Sequence, residues 1–123
     1  MDRAEPVIAL QDVAKTFAGG LVALDGFDLS VRPGEFVTLL GPSGCGKSTA
    51  LRIVAGLSEP TRGRVARPQG SAGDVGFVFQ EPTLMPWATV AANVALPLTL
   101  RRLSAAEIAP RVAAALEQVG LSG

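Results

Sequence analysis

Histidine and tyrosine are absent from this 123-residue chain, cysteine and tryptophan occur once each, and aromatic residues make up 5%. The single Cys45 excludes an internal disulfide framework and suits a reducing compartment. Neither charge sign is in excess. With 11 basic and 11 acidic residues the formal net charge is zero, which argues against a nucleic-acid-binding surface. Arg62, Arg64 and Arg67 accordingly read as a solvated face. No stretch reaches the roughly 18 consecutive apolar residues of a membrane span. The opening run Met1 to Pro6 has no apolar signal core, so the chain reads as soluble and cytosolic. Acids thin out toward the C-terminus, where only Glu81, Glu107 and Glu117 follow Asp74.

What is present is a composition of 48% hydrophobic residues, enough for one small domain or part of one. The run Gly41-Pro42-Ser43-Gly44-Cys45-Gly46-Lys47-Ser48-Thr49 fits G-x-x-x-x-G-K-[ST], a phosphate-cradling loop. Its context agrees. Phe36 to Leu40 reads as a buried strand after the turn Arg32-Pro33-Gly34, and Lys47 to Ala55 reads as a helix. Leu51 and Val54 supply the apolar spacing of that helix, and Gly56 is its C′ residue. Glycines at 41, 44 and 46 let successive N–H groups turn inward toward phosphate oxygens at a helix N-terminus. Lys47 supplies a positive charge for the β- and γ-phosphates of a nucleoside triphosphate, the Ser48 hydroxyl is placed for Mg²⁺, and Thr49 adds a hydroxyl near the α-phosphate. Cys45 fills a free position of the loop. The competing reading is a glycine-rich turn that only links a strand to a helix.

Strands are expected over Val7 to Val13 and Phe27 to Val31, with a turn at Ala18-Gly19-Gly20 between them. The loop Ser58 to Gly63 leads to a short strand at Arg64 to Ala66, followed by a polar stretch from Arg67 to Gly73. A second apolar strand, Val75 to Phe79, ends on Gln80. After a proline-containing loop, a helix begins near Thr89 with Val90, Val94 and Leu98 in one stripe, and Pro97 is expected to end or bend it. Ser104 and Glu107 form a capping-box pattern before the stripe Ile108, Val112, Leu116 and Val119, closed by Gly120. Pro110 leaves two starts open for that helix, at Ser104 or at Pro110 itself.

Strands before the phosphate loop and a glutamine ending the next core strand make the whole chain resemble the ATP-binding subunits of ABC transporters. The resemblance implies an α/β fold, a P-loop NTPase of ABC type, incomplete at 123 residues. It divides the chain into a β arm over 1–33, half of the P-loop core over 34–87 and the start of a helical subdomain over 88–123. It also implies that Phe17 stacks on adenine, a role a π face performs without hydrogen bonds, the alternative being a core residue of the hairpin. Gln80 would contact Mg²⁺ and the attacking water, its alternative being a polar residue that merely ends a strand. The loop from Gln80 to Val90 resembles the version in importers of nitrate, sulfonate and taurine. Leu84, Met85 and Trp87 would dock on a membrane permease, unless they fold back onto the helices behind them.

The family's acidic strand end, catalytic glutamate, signature loop and switch histidine have no counterpart here, and Leu121-Ser122-Gly123 matches the signature only by chance. The resemblance therefore implies MgATP binding without turnover by this chain, and hydrolysis in a head-to-tail dimer of a longer parent at the inner membrane face. Another phosphate-loop kinase or GTPase, a DNA-directed ABC-type ATPase, and a remnant that does not fold are the competing readings. The first lacks guanine-reading residues and the usual loop on strand one, and the second lacks a long heptad segment.

Overall fold

The computed structural model describes residues 5–42, 46–67 and 75–122. Expectations on Ser43, Gly44, Cys45, the stretch 68–73, the first four residues and Gly123 lie outside the described residues. The chain divides into two compact units, one running to Val78 and the other beginning at Phe79.

In the first unit, β1 (Ile8–Thr16) pairs antiparallel with β2 (Val22–Val31) and with β3 (Arg62–Ala66), giving the strand order β2-β1-β3. Both long strands extend beyond the apolar stretches that announced them, because the tight turn between them carries the ladder to its end. Gly19 and Gly20 take positive φ there, and the Phe17 N–H donates to the Leu21 carbonyl at 2.8 Å. A bulge interrupts β1 at Asp12, which has φ 48° and breaks the register toward both neighbours. Gly63 is required opposite it, since a Cβ at that position would stand 2.3 Å from the Asp12 carbonyl oxygen. Arg62 spans the bulge with contacts of 3.3 Å to both Asp12 and Asp25.

Helix α1 (Lys47–Val54) lies on this sheet and buries Ala50 and Ile53 among Ile8, Leu10, Val13 and Leu24. The apolar spacing expected from Leu51 and Val54 is therefore corrected. Leu51 is half exposed, while Ala50, Ile53 and the partly covered Val54 sit at i, i+3 and i+4 on the inward face. The helix ends as expected, with Gly56 at φ 77° donating to the Ile53 carbonyl and Leu57 donating to that of Arg52, a Schellman closure.

Two expected strands are corrected as well. Neither 36–40 nor 75–79 forms a strand, and Phe36, Leu40 and Val78 are 92%, 89% and 94% exposed. A strand of this kind needs ladder partners on its flanks. Among the described residues the sheet consists of β1, β2 and β3 alone, and neither apolar run pairs with any of them.

The second unit contains α2 (Val90–Leu100) and α3 (Ala105–Gln118). Thr89 caps α2 by accepting from the Ala92 N–H, and the helix continues through Pro97 to Leu100. Pro97 removes one donor, the bond that would reach Asn93, yet the last turn closes where Arg102 at φ 60° donates to Thr99. Helix α3 starts at Ala105 rather than Pro110, because Ser104 and Glu107 form both halves of the capping box. Val112 is buried at its centre, whereas Val119, assigned to the same stripe, is exposed beyond the last turn.

The Ser104 backbone N–H and hydroxyl both donate to Glu107 and hold its carboxyl below the ordinary carboxylate range. A depressed folded-state value means that this cap is fully present above the unfolded carboxylate pKa and is lost as pH falls through the lower folded one. The α3 helicity, followed by circular dichroism, is expected to hold from pH 7 down to about 5 and to decline below about 4. In Glu107→Gln that acid limb flattens.

Candidate phosphate-binding site

The site grows from the first turn of α1. Gly46 stands at the N-cap in the left-handed region, φ 90°, with no side chain capping the helix and no acid in the first turn. The Ala50 N–H donates to the Gly46 carbonyl at 2.9 Å, so the N–H groups of Lys47, Ser48 and Thr49 precede the helical ladder and have no carbonyl within it. Three donors and the positive end of the helix dipole thus point out of one turn.

Gly46 is there for a reason stronger than conformational freedom. A Cβ at this position would lie 2.3 Å from the Ala23 carbonyl oxygen and 2.9 Å from Leu24 Cδ2, so the β2 strand presses directly on the loop. A cavity of about 190 Å³ opens beside this contact, lined among others by Phe27, Thr38, Leu39, Gly46 and Lys47. The Lys47 ammonium donates to the Gly41 carbonyl, folding the side chain back across the loop it belongs to. Among the described residues Lys47 makes no ion pair. Its charge is held by a neutral acceptor, which an anion can replace at little cost. Gly41, Pro42 and Ser48 are exposed, and Thr49 is half-buried.

At the opposite end of α1 the Arg67 guanidinium donates to the Ile53 carbonyl and, at 3.1 Å, to that of Val54. This residue is half-buried and not part of a solvated face, because the last turn leaves carbonyls that a cation satisfies. Arg62 likewise is engaged with Asp12 and Asp25 rather than simply solvated.

Phe17 lies at the end of β1 and is 41% exposed, outside the buried cluster of the sheet. Lys15 Nζ sits over its ring, 5.4 Å from the centroid. In the second unit Gln80 is exposed at a bend, Leu84 and Trp87 are 68% and 83% exposed, and Met85 is half-buried. Met85 thus departs from the exposed position assigned to it. Its N–H donates to Asn93 Oδ1 at 2.7 Å, and Asn93 Nδ2 donates to the carbonyls of Met85 and Thr89 at 3.2 and 2.9 Å. The contacts that Asn93 and Lys15 make escaped the reading of the sequence. The available signals were the i, i+4 spacing of Thr89 and Asn93 on a helix start and the i, i+2 spacing of Lys15 and Phe17 on one strand face.

A G-x-x-x-x-G-K-[ST] sequence that leads into a helix with a glycine-led, uncapped N-terminus and a lysine folded back to the Gly41 carbonyl defines the class of phosphate-loop nucleotide-binding proteins. The match to a family model is narrower: residues 24–123 fit the model described as "ABC transporter", and the chain belongs to that family. It is 47% identical over 131 aligned positions to the spermidine/putrescine import ATP-binding protein PotA of Thermobifida fusca, covering 98% of this chain and 34% of that protein. It is 56% identical over 111 positions to the aliphatic sulfonates import ATP-binding protein SsuB 1 of Pseudomonas syringae, covering 89% of this chain and 42% of that one. Among solved structures, the cassette MJ0796 in a post-hydrolysis state bound to ADP and Pi superimposes with a TM-score of 0.78 at 35% identity, over 89% of this chain and 56% of that one. The chain therefore spans between one third and somewhat over half the length of these relatives.

The contact at Gly46 yields a direct test. Gly46→Ala is expected to destabilise the first unit by about 2 kcal/mol or more in urea unfolding, since it combines a backbone clash with a left-handed φ. Glycines at 19 and 20 have open space around them, and Gly20→Ala is expected to cost about 1 kcal/mol, the conformational part alone.

Proposed function

We propose that the chain binds the triphosphate of MgATP at the start of α1 and belongs to the energy-coupling subunit of an importer for a small solute. The observation that carries this reading is the uncapped first turn, with Lys47 held by a neutral carbonyl across it. The N–H groups from Gly46 to Thr49 receive phosphate oxygens, and Lys47 exchanges the Gly41 carbonyl for the β- and γ-phosphates. Gly41, Pro42, Ser43, Gly44 and Cys45 are proposed as ATP-binding residues from the sequence motif alone. The Ser48 hydroxyl would hold Mg²⁺, whose chemistry is to neutralise phosphate charge, and the Gln80 amide oxygen is proposed as a second ligand from the resemblance of its sequence position alone. Phe17 stacks on the adenine.

The exposed Leu84 and Trp87, together with the half-buried Met85 whose backbone is held by Asn93, are the apolar residues proposed to meet a membrane permease on its cytoplasmic side. Among the described residues no helix is long and apolar enough to cross a membrane. A second ATP-binding subunit is the other expected partner. The relatives' names span polyamine, sulfonate and glycerol-phosphate import. The higher identity to the sulfonate protein and the form of the 80–90 loop favour a sulfonate-type anion as the solute. Hydrolysis is assigned to the assembled transporter. In this chain Glu107 is committed to its helix cap, and no histidine is available.

Titration with a fluorescent ATP analogue in the presence of Mg²⁺ tests this reading. Saturable binding without phosphate release is expected, with a loss of roughly ten- to hundred-fold in Lys47→Ala, the size of a charge-assisted phosphate contact. Equal affinity in the two proteins contradicts the reading.

A further inference from the structure

The aromatic ring proposed to receive the base is held from two directions. Its backbone closes the hairpin, with the Phe17 N–H donating to Leu21 and the Gly20 N–H donating back to the Phe17 carbonyl at 3.0 Å. Its side chain has the Lys15 ammonium on one face. Lys15 does not hang free, because Nζ donates at 2.7 Å to the Glu59 carbonyl in the loop that follows α1. That loop is pinned to the same stretch of β1. The Thr61 N–H donates to the Ala14 carbonyl at 2.8 Å, and the Thr16 N–H donates to the Thr61 hydroxyl at 3.0 Å. The ammonium therefore occupies a fixed point over the ring, set by the connection between α1 and β3.

We propose that Lys15 is a positioning residue for recognition of a purine base. It covers one face of Phe17, fixes the ring rotamer and leaves the opposite face for stacking. The inference rests on the assignment of Phe17 to adenine made above. Two physical effects follow. A ring already held by a tethered cation loses less side-chain freedom when a base lands on it. The cation also draws π density toward its own face, which favours an electron-rich purine on the other. Both effects act on the base and not on the phosphates, which gives the proposal a signature that general stabilisation of the hairpin lacks.

The test is calorimetric titration of the full chain and its Lys15→Met, Lys15→Arg and Phe17→Ala variants with MgATP and, separately, with inorganic tripolyphosphate, alongside thermal melts. Lys15→Met is expected to weaken ATP by about two- to five-fold, the range of an exposed cation–π contact, while leaving tripolyphosphate unchanged. Lys15→Arg, which keeps a cation and donors for the Glu59 carbonyl, is expected to restore most of that loss. If Phe17→Ala weakens ATP but Lys15→Met does not, the role of Lys15 is overturned and the adenine assignment stands. An unchanged ATP affinity in Phe17→Ala overturns the assignment itself. A Lys15→Met loss shared equally by ATP and tripolyphosphate, or accompanied by a collapsed melt that Lys15→Arg does not repair, assigns Lys15 to hairpin stability and overturns the proposal.

Discussion

The close approach of the Gly46 backbone to the Ala23 carbonyl is the contact on which the first unit depends. It docks the start of α1 against β2 at a distance that no side chain larger than hydrogen permits. From there the helix runs along the sheet with Ala50 and Ile53 buried against Leu10, Val13 and Leu24, so the direction of its N-terminus is set by the β arm. The proposed phosphate site is made of backbone N–H groups and has no flexible side chain with which to correct its aim. Its precision has to come from packing behind the helix, which is what these residues supply.

Electrostatics complete α1 unequally at its two ends. The C-terminal carbonyls are satisfied internally, by the Arg67 guanidinium and by the Gly56 closure. The N-terminal N–H groups have neither a capping side chain nor an acid in the first turn. A helix with one end closed and the other open to an anion concentrates its binding capacity at the open end. In the second unit every helix start is capped instead, by Thr89 for α2 and by Ser104 with Glu107 for α3, which marks α1 as different in kind within one chain.

Local signals were legible in the sequence. The start of α1 at Lys47, the Ser104 and Glu107 box, the glycine closures at 56 and 120 and the antiparallel arm are set by residues within a few positions of one another, and the structure forms each of them. Features that depend on distant neighbours were not legible. The apolar runs 36–40 and 75–79 carry strand composition, yet a strand exists only beside another, and these find none among the described residues. Which face of α1 turns inward was misjudged at Leu51 because periodicity gives a stripe without saying where the sheet lies. Lys15 and Asn93 look like ordinary polar residues until the chain brings Glu59 and Met85 to them.

The central claim is that backbone amides at the first turn of α1 receive phosphate. It is tested most directly by the ¹H–¹⁵N amide spectrum of the uniformly labelled chain as Mg²⁺ and ATP are added. The account predicts that the amide signals of Gly46, Lys47, Ser48 and Thr49 move the furthest, downfield as N–H groups acquire phosphate oxygens. Saturable binding that leaves those four signals in place while shifting others would contradict it.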